Sequence, residues 1–298
     1  MVATELRAVV ESALSSHRHL AVRRGHLIGR YSRLRREPHT ALSQRERDLL
    51  PVLTCDTDTD WFSCYKRAMS DSQHREPSER SLTGQIKLYY DVIAAGSPPA
   101  PLLIALHGYG GSKWHAMREA KLMAPDGFAL AALQGPHQHL REPKEQGGLL
   151  RYGFGWLTNF HPEDSVAIHH QALLDMIAAL TNEGLANREK IFLLGFSQSC
   201  ALNYRFAFTH PKVLRGVIGI AGGIPGDWET SKLYQPTDAA VFHLSGERDE
   251  YYPPVRVENY ASQLGQRAKD VEFRSYDAGH EISPAMRNDI RAWIIERQ

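Results

Sequence analysis

Residues 191–200 read IFLLGFSQSC, and this stretch decides the fold class. It begins with four apolar residues, which is typical of a strand buried on both faces of a parallel sheet. It then runs through Gly-Phe-Ser-Gln-Ser into a predicted helix over 198–209. A serine at such a sharp strand-to-helix turn needs small neighbours, because the helix passes close to the strand. Gly195 and Ser199 are both small, so the stretch predicts a nucleophile elbow with Ser197 at its tip.

The same alternation of strand and helix patterns continues on both sides of the elbow. Short apolar runs alternate with stretches of helical periodicity from residue 82 onwards, which predicts a mostly parallel α/β sheet covered by helices on both faces. In such sheets, functional residues lie at the carboxyl ends of the strands. Strands are predicted at 86–92, 102–106, 128–133, 191–194, 217–220, 241–244 and 271–276, and helices at 112–124, 164–180, 198–209, 254–268 and 284–297.

Two later strands end in ionisable residues. The strand at 241–244 opens into a loop containing Asp249, and the strand at 271–276 leads to a Gly-His turn at His280. The chain order of serine, acid and histidine is that of a triad on an open α/β sheet. We therefore predict Ser197 as nucleophile, His280 as general base and Asp249 as the orienting acid. The neighbouring Glu247 and Glu250 are rivals for the acid, and the offset from the preceding glycine favours Asp249.

A glycine-rich loop follows an early strand, in the sequence LLIALHGYGG of residues 102–111. A tetrahedral intermediate needs two backbone N–H donors for its oxyanion. We predict that the backbone N–H of Gln198, just after the nucleophile, supplies one and that of Tyr109 supplies the other. The adjacent His107 is interpreted as a structural residue, because His280 already fills the role of base.

The segments LHGYGGS, GFSQS, GERDEYYP and DAGHEI together resemble the α/β-hydrolase superfamily, and most nearly its phospholipase/carboxylesterase branch, which includes acyl-protein thioesterases. The resemblance covers about residues 82–298, and Arg151–Val166 resembles the tryptophan-containing segment of that branch. Ser199 stands where the branch has glycine. The resemblance implies an α/β-hydrolase fold and a carboxylesterase-type serine hydrolase that cleaves small-molecule esters, or thioesters, through an acyl-enzyme.

Several aromatic side chains fall in loops near the predicted strand ends. They could line a substrate pocket or simply pack beneath the loops, and the sequence favours neither interpretation. These candidate pocket residues are Trp114, Phe154, Trp156, Trp228 and Tyr251.

Composition narrows the class of protein and its partners. The 298 residues carry a formal net charge of +1, which argues against a nucleic-acid partner. No run of about 18 apolar residues occurs, so no transmembrane segment is expected. Three cysteines without a Cys-x-x-Cys pair, and an N-terminus unlike a signal peptide, favour a cytoplasmic location. The cysteines are Cys55, Cys64 and Cys200.

Neither a metal nor an organic cofactor is expected. The chain has no P-loop or dinucleotide motif. The adjacent His169 and His170 point to different sides of a predicted helix, so they cannot easily bind one ion. The remaining histidines that invite a metal interpretation are His137, His139 and His161.

The domain prediction is a helical N-terminal extension over residues 1–80, followed by an α/β-hydrolase catalytic domain over 81–298. The extension could be a lid, a dimerisation arm that makes the protein a homo-oligomer, or a small domain. Two alternatives to the esterase remain open. One is a peptidase or other acyl hydrolase on the same fold. The other is a catalytically silent hydrolase domain that binds a partner, although the intact Ser197, Asp249 and His280 argue against silence.

Overall fold

A computed structural model describes residues 78–141 and 148–298 of the chain. The predicted extension over residues 1–80, with Cys55 and Cys64, therefore lies almost wholly outside the described residues, and its role stays a prediction. Residues 84–298 form one compact unit, and the description below is confined to it.

A mostly parallel sheet of seven strands is the central feature of the described residues. A separate antiparallel hairpin of two strands lies outside this sheet. The sheet is formed by β1 (Tyr90–Ile93), β2 (Ala100–Leu106), β3 (Ala129–Leu133), β6 (Ala186–Phe196), β7 (Gly216–Ile220), β8 (Ala240–Gly246) and β9 (Val271–Tyr276), and the hairpin by β4 (His137–Arg141) and β5 (Arg151–Gly155).

Helices connect the parallel strands and cover the sheet, which confirms the predicted fold class. They are α1 (Lys113–Met123), α2 (Pro162–Asn182), α3 (Gln198–Thr209), α4 (Pro254–Val257), α5 (Tyr260–Gly265) and α6 (Pro284–Ile295). None of the helices in this part of the chain is both long and apolar enough to cross a membrane.

The strand order β1-β3-β2-β6-β7-β8-β9 positions the loops that matter for the site. Only β1 is antiparallel, so the carboxyl ends of the other six strands lie along one edge. Leu106 at the end of β2 pairs with Gly195 near the end of β6. The glycine-rich loop after β2 and the serine after β6 therefore leave the sheet side by side.

Burial on both faces explains why these strands are apolar throughout. In β2, Leu102, Ile104 and Leu106 pack into a core with α2 and α3. The alternate residues Leu103 and Ala105 pack into a second core with α1 and α6. Since successive side chains of a strand point to opposite faces, a strand between two helical layers must be apolar at every position.

Several details differ from the sequence prediction, among them the bounds of β1, which begins at Tyr90 and not at residue 86, and of β6, which is longer than the predicted 191–194. The hairpin β4–β5 was not predicted, because its strands are short, mix polar with aromatic residues and, within the described residues, pair with each other and with the loop after β2. The single helix predicted over 254–268 is two short helices, α4 and α5, interrupted at Asn259, a residue of low helix propensity.

Three histidines, His107, His169 and His243, are buried in this architecture, and His170 is half-buried. Burial lowers the pKa of His169 and of His243 to about 3, and that of His107 and of His170 to about 4. The ring of His243 stacks on Phe273, and its Nδ1 lies 2.8 Å from the Tyr204 hydroxyl. All four are therefore neutral in the folded protein near neutral pH.

We expect the protein to lose stability in mild acid. In the unfolded chain these four histidines take up protons near pH 6.5, whereas in the folded chain they do so only near pH 4 or below. The free energy of unfolding should therefore fall as the pH drops from 6.5 towards 4, by at most about 3 kcal/mol per buried histidine. Urea denaturation at a series of pH values measures this slope.

His243→Gln should make that slope shallower, because it removes one buried titratable group and keeps a polar side chain. His161→Gln, at an exposed histidine, is the matched control and should change the slope less. A free energy of unfolding that stays constant between pH 6.5 and pH 5 would contradict the assignment of neutral buried histidines.

Candidate active site

Three side chains from separate loops meet at the carboxyl edge of the sheet. The Nε2 atom of His280 lies 2.9 Å from the hydroxyl oxygen of Ser197. The Nδ1 atom of the same ring lies 2.9 Å from Oδ2 of Asp249. The structure thus brings together the three residues predicted from the order of the chain. A hydroxyl, an imidazole and a carboxylate in this sequence of hydrogen bonds can pass a proton from serine to histidine.

Ser197 adopts a backbone conformation that side-chain-bearing residues rarely take. Its φ is 56° and its ψ is −116°. Its N–H donates to the carbonyl of Ile220, 2.9 Å away at the end of β7, which holds the turn in place. Gly195 is required beside it, because a Cβ there would lie 2.6 Å from Nδ2 of Asn203.

Ser199 replaces the glycine of the usual elbow and uses its hydroxyl locally. Its Oγ accepts from the N–H of Phe196 at 3.0 Å. The same oxygen lies 3.3 Å from the carbonyl of Leu106, the last residue of β2. These hydrogen bonds stabilise the Ser199 hydroxyl at a position where the family usually has glycine.

Asp249 is held by its own loop. Its side chain is fully buried, and Oδ1 accepts from the N–H groups of Tyr251 and Tyr252 at 2.8 and 2.9 Å. The other oxygen, Oδ2, is left for His280. The rivals Glu247 and Glu250 are both exposed, and Asp249 is the carboxylate that reaches the ring.

The loop after β2 lies directly against the elbow. A Cβ on Gly108 would lie 2.8 Å from Cδ1 of Phe196 and 3.2 Å from Cβ of Ser197, so only glycine fits there. Tyr109 follows in the same loop, and Gln198 begins α3 immediately after Ser197. Among the hydrogen bonds of the described residues, neither Tyr109 nor Gln198 donates its backbone N–H, so both donors are free for a ligand.

His107 fixes the start of this loop. Its Nε2 accepts from the N–H of Gly135 at 3.0 Å, so the proton of the neutral ring is on Nδ1. That N–H donates to the carbonyl of Gly108 at 2.8 Å. Burial lowers the pKa of His107 to about 4, so the ring is neutral at neutral pH, and the two hydrogen bonds select this tautomer. The structure thus gives His107 a role in holding the loop.

The unpredicted hairpin braces the same loop from outside. Phe154 of β5 forms two backbone hydrogen bonds with the loop: its carbonyl accepts from the N–H of Gly110 at 2.9 Å, and its N–H donates to the carbonyl of Gly111 at 3.1 Å. The ring of His139 in β4 stacks on Tyr109, with centroids 4.6 Å apart. The alternating small and aromatic residues of 151–156 are a sequence signal for strand β5. The sequence of its partner strand β4 carries no such signal.

Trp156 joins the hairpin to both predicted donor loops. Its indole N–H donates to the carbonyl of His107 at 2.7 Å. Its backbone N–H donates to Oε1 of Gln198 at 2.8 Å, and the amide of the same Gln198 donates to the Leu157 carbonyl at 3.0 Å. The side chain of Gln198 therefore holds in place the residue whose backbone N–H is predicted to be an oxyanion donor.

The aromatic candidates for a substrate pocket separate into two groups. Trp156 and Trp228 are fully buried and bonded to backbone carbonyls, so they pack the core and cannot line an open pocket. Phe154 is half-buried, and Trp114 and Tyr251 are exposed. The ring of Tyr251 lies 4.7 Å from that of His280, which keeps it as a candidate for substrate contact.

Cys200, which follows the elbow, is a buried thiol. Burial raises the pKa of the Cys200 thiol to about 12, and its Sγ donates to the carbonyl of Gly195 at 3.3 Å. It is therefore not a thiolate. No three metal-ligating side chains of the described residues converge to hold an ion.

The chain is similar to known proteins in sequence and in fold. A family model for phospholipases and carboxylesterases matches residues 88–296. Acyl-protein thioesterase 1 of Eremothecium gossypii is 34% identical over 112 residues, which are 36% of this chain and 47% of that protein. The chain thus spans less than half the length of the curated relatives it matches.

Solved structures agree on the fold. The Bacillus cereus carboxylesterase superposes with a TM-score of 0.57 at 15% identity, covering 71% of this chain and 95% of the other. A phospholipase/carboxylesterase from Dyadobacter fermentans gives 0.55 at 19% identity, covering 72% of this chain and 99% of the other. At these identities the likeness concerns the fold alone.

Gly246→Ala should disable the serine without changing any of the three side chains. A Cβ on Gly246 would lie 2.5 Å from the carbonyl oxygens of Ala278 and Gly279, so the backbone that leads to His280 must move. A shift of about 1 Å in a catalytic group typically costs about 100-fold in rate. The rate of labelling by a fluorophosphonate, which reports an activated serine, measures the loss.

Gly265→Ala is the matched control, because a Cβ there meets no atom within 4 Å. It should label at the rate of the unmodified protein. Equal labelling rates for the two variants would show that the loop before His280 does not set the geometry.

Proposed function

Because the chain belongs to the phospholipase/carboxylesterase family of the α/β-hydrolase superfamily, we propose that it is a serine hydrolase that cleaves small carboxylic esters. The observation that carries the proposal is the continuous line of hydrogen bonds from the Ser197 hydroxyl through His280 to Asp249. In this proposal Ser197 is the nucleophile, His280 the general base and Asp249 the acid that orients the ring.

Acylation begins with attack of the Ser197 oxygen on the ester carbonyl. His280 accepts the hydroxyl proton on Nε2, and Asp249 stabilises the resulting imidazolium through Nδ1–H. The carbonyl oxygen becomes an oxyanion that the backbone N–H groups of Tyr109 and Gln198 bind. The ester C–O bond then breaks, and His280 returns its proton to the departing alkoxide, which leaves as the alcohol.

Deacylation repeats these steps with water. His280 takes a proton from the water molecule, whose oxygen attacks the carbonyl of the acyl-enzyme. The same two N–H groups bind the second oxyanion, and the Ser197 oxygen leaves with the proton held by His280. The products are a carboxylic acid and the regenerated serine.

Thioesters are a second substrate class within the same mechanism. One relative is named acyl-protein thioesterase 1, which supports testing them here. Cleavage of a thioester needs no further role for Ser197 or His280, because an ester and a thioester with the same acyl part form the same acyl-enzyme. Matched p-nitrophenyl esters and thioesters of rising acyl length would distinguish the two preferences.

Ser197→Ala should abolish ester hydrolysis while the protein stays folded. Loss of a triad nucleophile typically lowers turnover by about 10⁶-fold. Hydrolysis of p-nitrophenyl acetate and butyrate measures the activity, and circular dichroism checks the fold. Ser97→Ala, at an exposed loop position, is the matched control and should retain activity. Unchanged hydrolysis by the Ser197 variant would overturn the proposal.

We also propose that residues 81–298 are the catalytic domain and that residues 1–80 modify it. The proposed triad and both N–H donors all lie in the unit formed by residues 84–298. A variant that begins at Leu82 should therefore still react with the fluorophosphonate. A change in its acyl-length preference would indicate a lid, and a change in its oligomeric state an assembly arm. A folded variant that does not react would contradict the boundary.

A further inference from the structure

A cleft of about 410 Å³ opens beside the reacting centre. Its walls include the loop residues 108–111 and Phe196, so it begins directly next to Ser197. The remaining wall comes from α1, the end of β4 and the segment after His280. Unlike the usual ligand pocket, which is mostly apolar, this cleft carries five charged side chains. They are Arg118, Arg141, Arg287, Glu119 and Glu281.

Two of the three arginines share one carboxylate. Oε2 of Glu119 accepts from Nε of Arg287 at 2.7 Å, and Oε1 accepts from Nη2 of Arg118 at 3.0 Å. The Glu119 side chain is only 10% exposed, so its carboxylate interacts with these two arginines and hardly with solvent. Two positive charges against one negative charge leave this part of the wall cationic.

Arg141 is the third arginine, and no carboxylate of the described residues pairs with it. Its Nη1 donates to the carbonyl of Gly110 at 3.1 Å. A Cβ on Gly110 would lie only 3.3 Å from Nε of Arg141, so the guanidinium packs closely against the loop that carries Tyr109. A guanidinium has five N–H donors, and most of those on Arg141 remain free for a ligand.

The whole lining has a surplus of positive charge. Three guanidinium groups face two carboxylates, and the second carboxylate, that of Glu281, is exposed at the rim. His115 also lines the cleft, and burial together with the positive charges of Arg118 and Arg141 lowers its pKa. The fields of these two arginines therefore reach the same point beside the loop.

We propose that this cleft binds a carboxylate of the substrate, with Arg141 as the residue that recognises it. The inference rests on the proposed function and narrows it to esters that carry a negative charge. A planar guanidinium can bind a carboxylate through two parallel hydrogen bonds, which gives orientation as well as affinity. The charged group would lie beside the oxyanion loop, in the acyl part or in the leaving group.

Two matched pairs of esters test the charge preference. Mono-4-nitrophenyl glutarate and 4-nitrophenyl pentanoate differ by a carboxylate in the acyl part. 4-Acetoxybenzoate and its methyl ester differ by a carboxylate in the leaving group. The readout is the ratio of kcat/KM for the charged ester to that for the neutral ester, because Arg141 also binds the loop and its removal can change both rates.

Arg141→Gln should lower this ratio about tenfold in at least one pair, mainly through KM, as expected for the loss of one charge-assisted contact. Arg141→Lys keeps the positive charge but loses the planar group that can form two parallel hydrogen bonds, so it should give an intermediate ratio. Arg151→Gln is the matched control, because Arg151 lies opposite Arg141 in the register of the hairpin but does not line the cleft. The ratio measured for the Arg151→Gln variant should equal that of the unmodified protein. Added salt should lower the ratio of the unmodified protein.

The outcomes separate the two proposals. Normal hydrolysis of neutral esters, with an Arg141→Gln ratio within about twofold of the unmodified protein in both pairs, would overturn the subsite and leave the esterase standing. A drop that Arg151→Gln reproduces would also overturn it, since the effect would then be general to the charge of the hairpin. Absence of both ester hydrolysis and fluorophosphonate labelling would overturn the proposed function itself.

Discussion

The strained backbone at Ser197 is the constraint on which the site depends. A non-glycine residue at φ 56° and ψ −116° costs on the order of 1–3 kcal/mol and persists only where its surroundings impose it. Here the surroundings are close-packed glycines. A Cβ on Gly222 would lie 2.5 Å from the carbonyl oxygen of Ser197, and one on Gly108 would meet its Cβ at 3.2 Å. The same turn aims the hydroxyl at His280 and starts α3 with a free N–H at Gln198.

Much of this arrangement could be predicted from the sequence, because the parallel sheet leaves a strong signal. Strands between two helical layers are apolar at every position, as in β2, and they stand out between helices of ordinary length. Their carboxyl ends then show where to look for Ser197, Asp249 and His280. Asp249 rather than Glu247 or Glu250 follows from its position in the loop, and the structure gives the reason: its neighbours point to solvent.

The hairpin β4–β5 could not be predicted, because it leaves no such signal. Its strands are short and mix polar with aromatic residues, and its register depends on contacts with a loop that is distant in the chain. The prediction that aromatic loop residues line a substrate pocket was partly wrong for a related reason. Trp156 and Trp228 lie in loops of the sequence yet are fully buried, since each indole N–H finds a backbone carbonyl inside the protein. Loop position alone does not distinguish a pocket from a core.

The hydrogen bonds at the carboxyl edge join parts of the chain that are far apart in sequence. Ser197 and His280 are 83 residues apart, and the hydroxyl of Ser199 reaches a carbonyl 93 residues upstream. Contacts of such long range form only when the central strands are already aligned, since the entropy of closing the intervening chain must be overcome first. The reacting geometry is therefore a late product of folding. Any partial opening of the sheet would remove it before the protein as a whole unfolds.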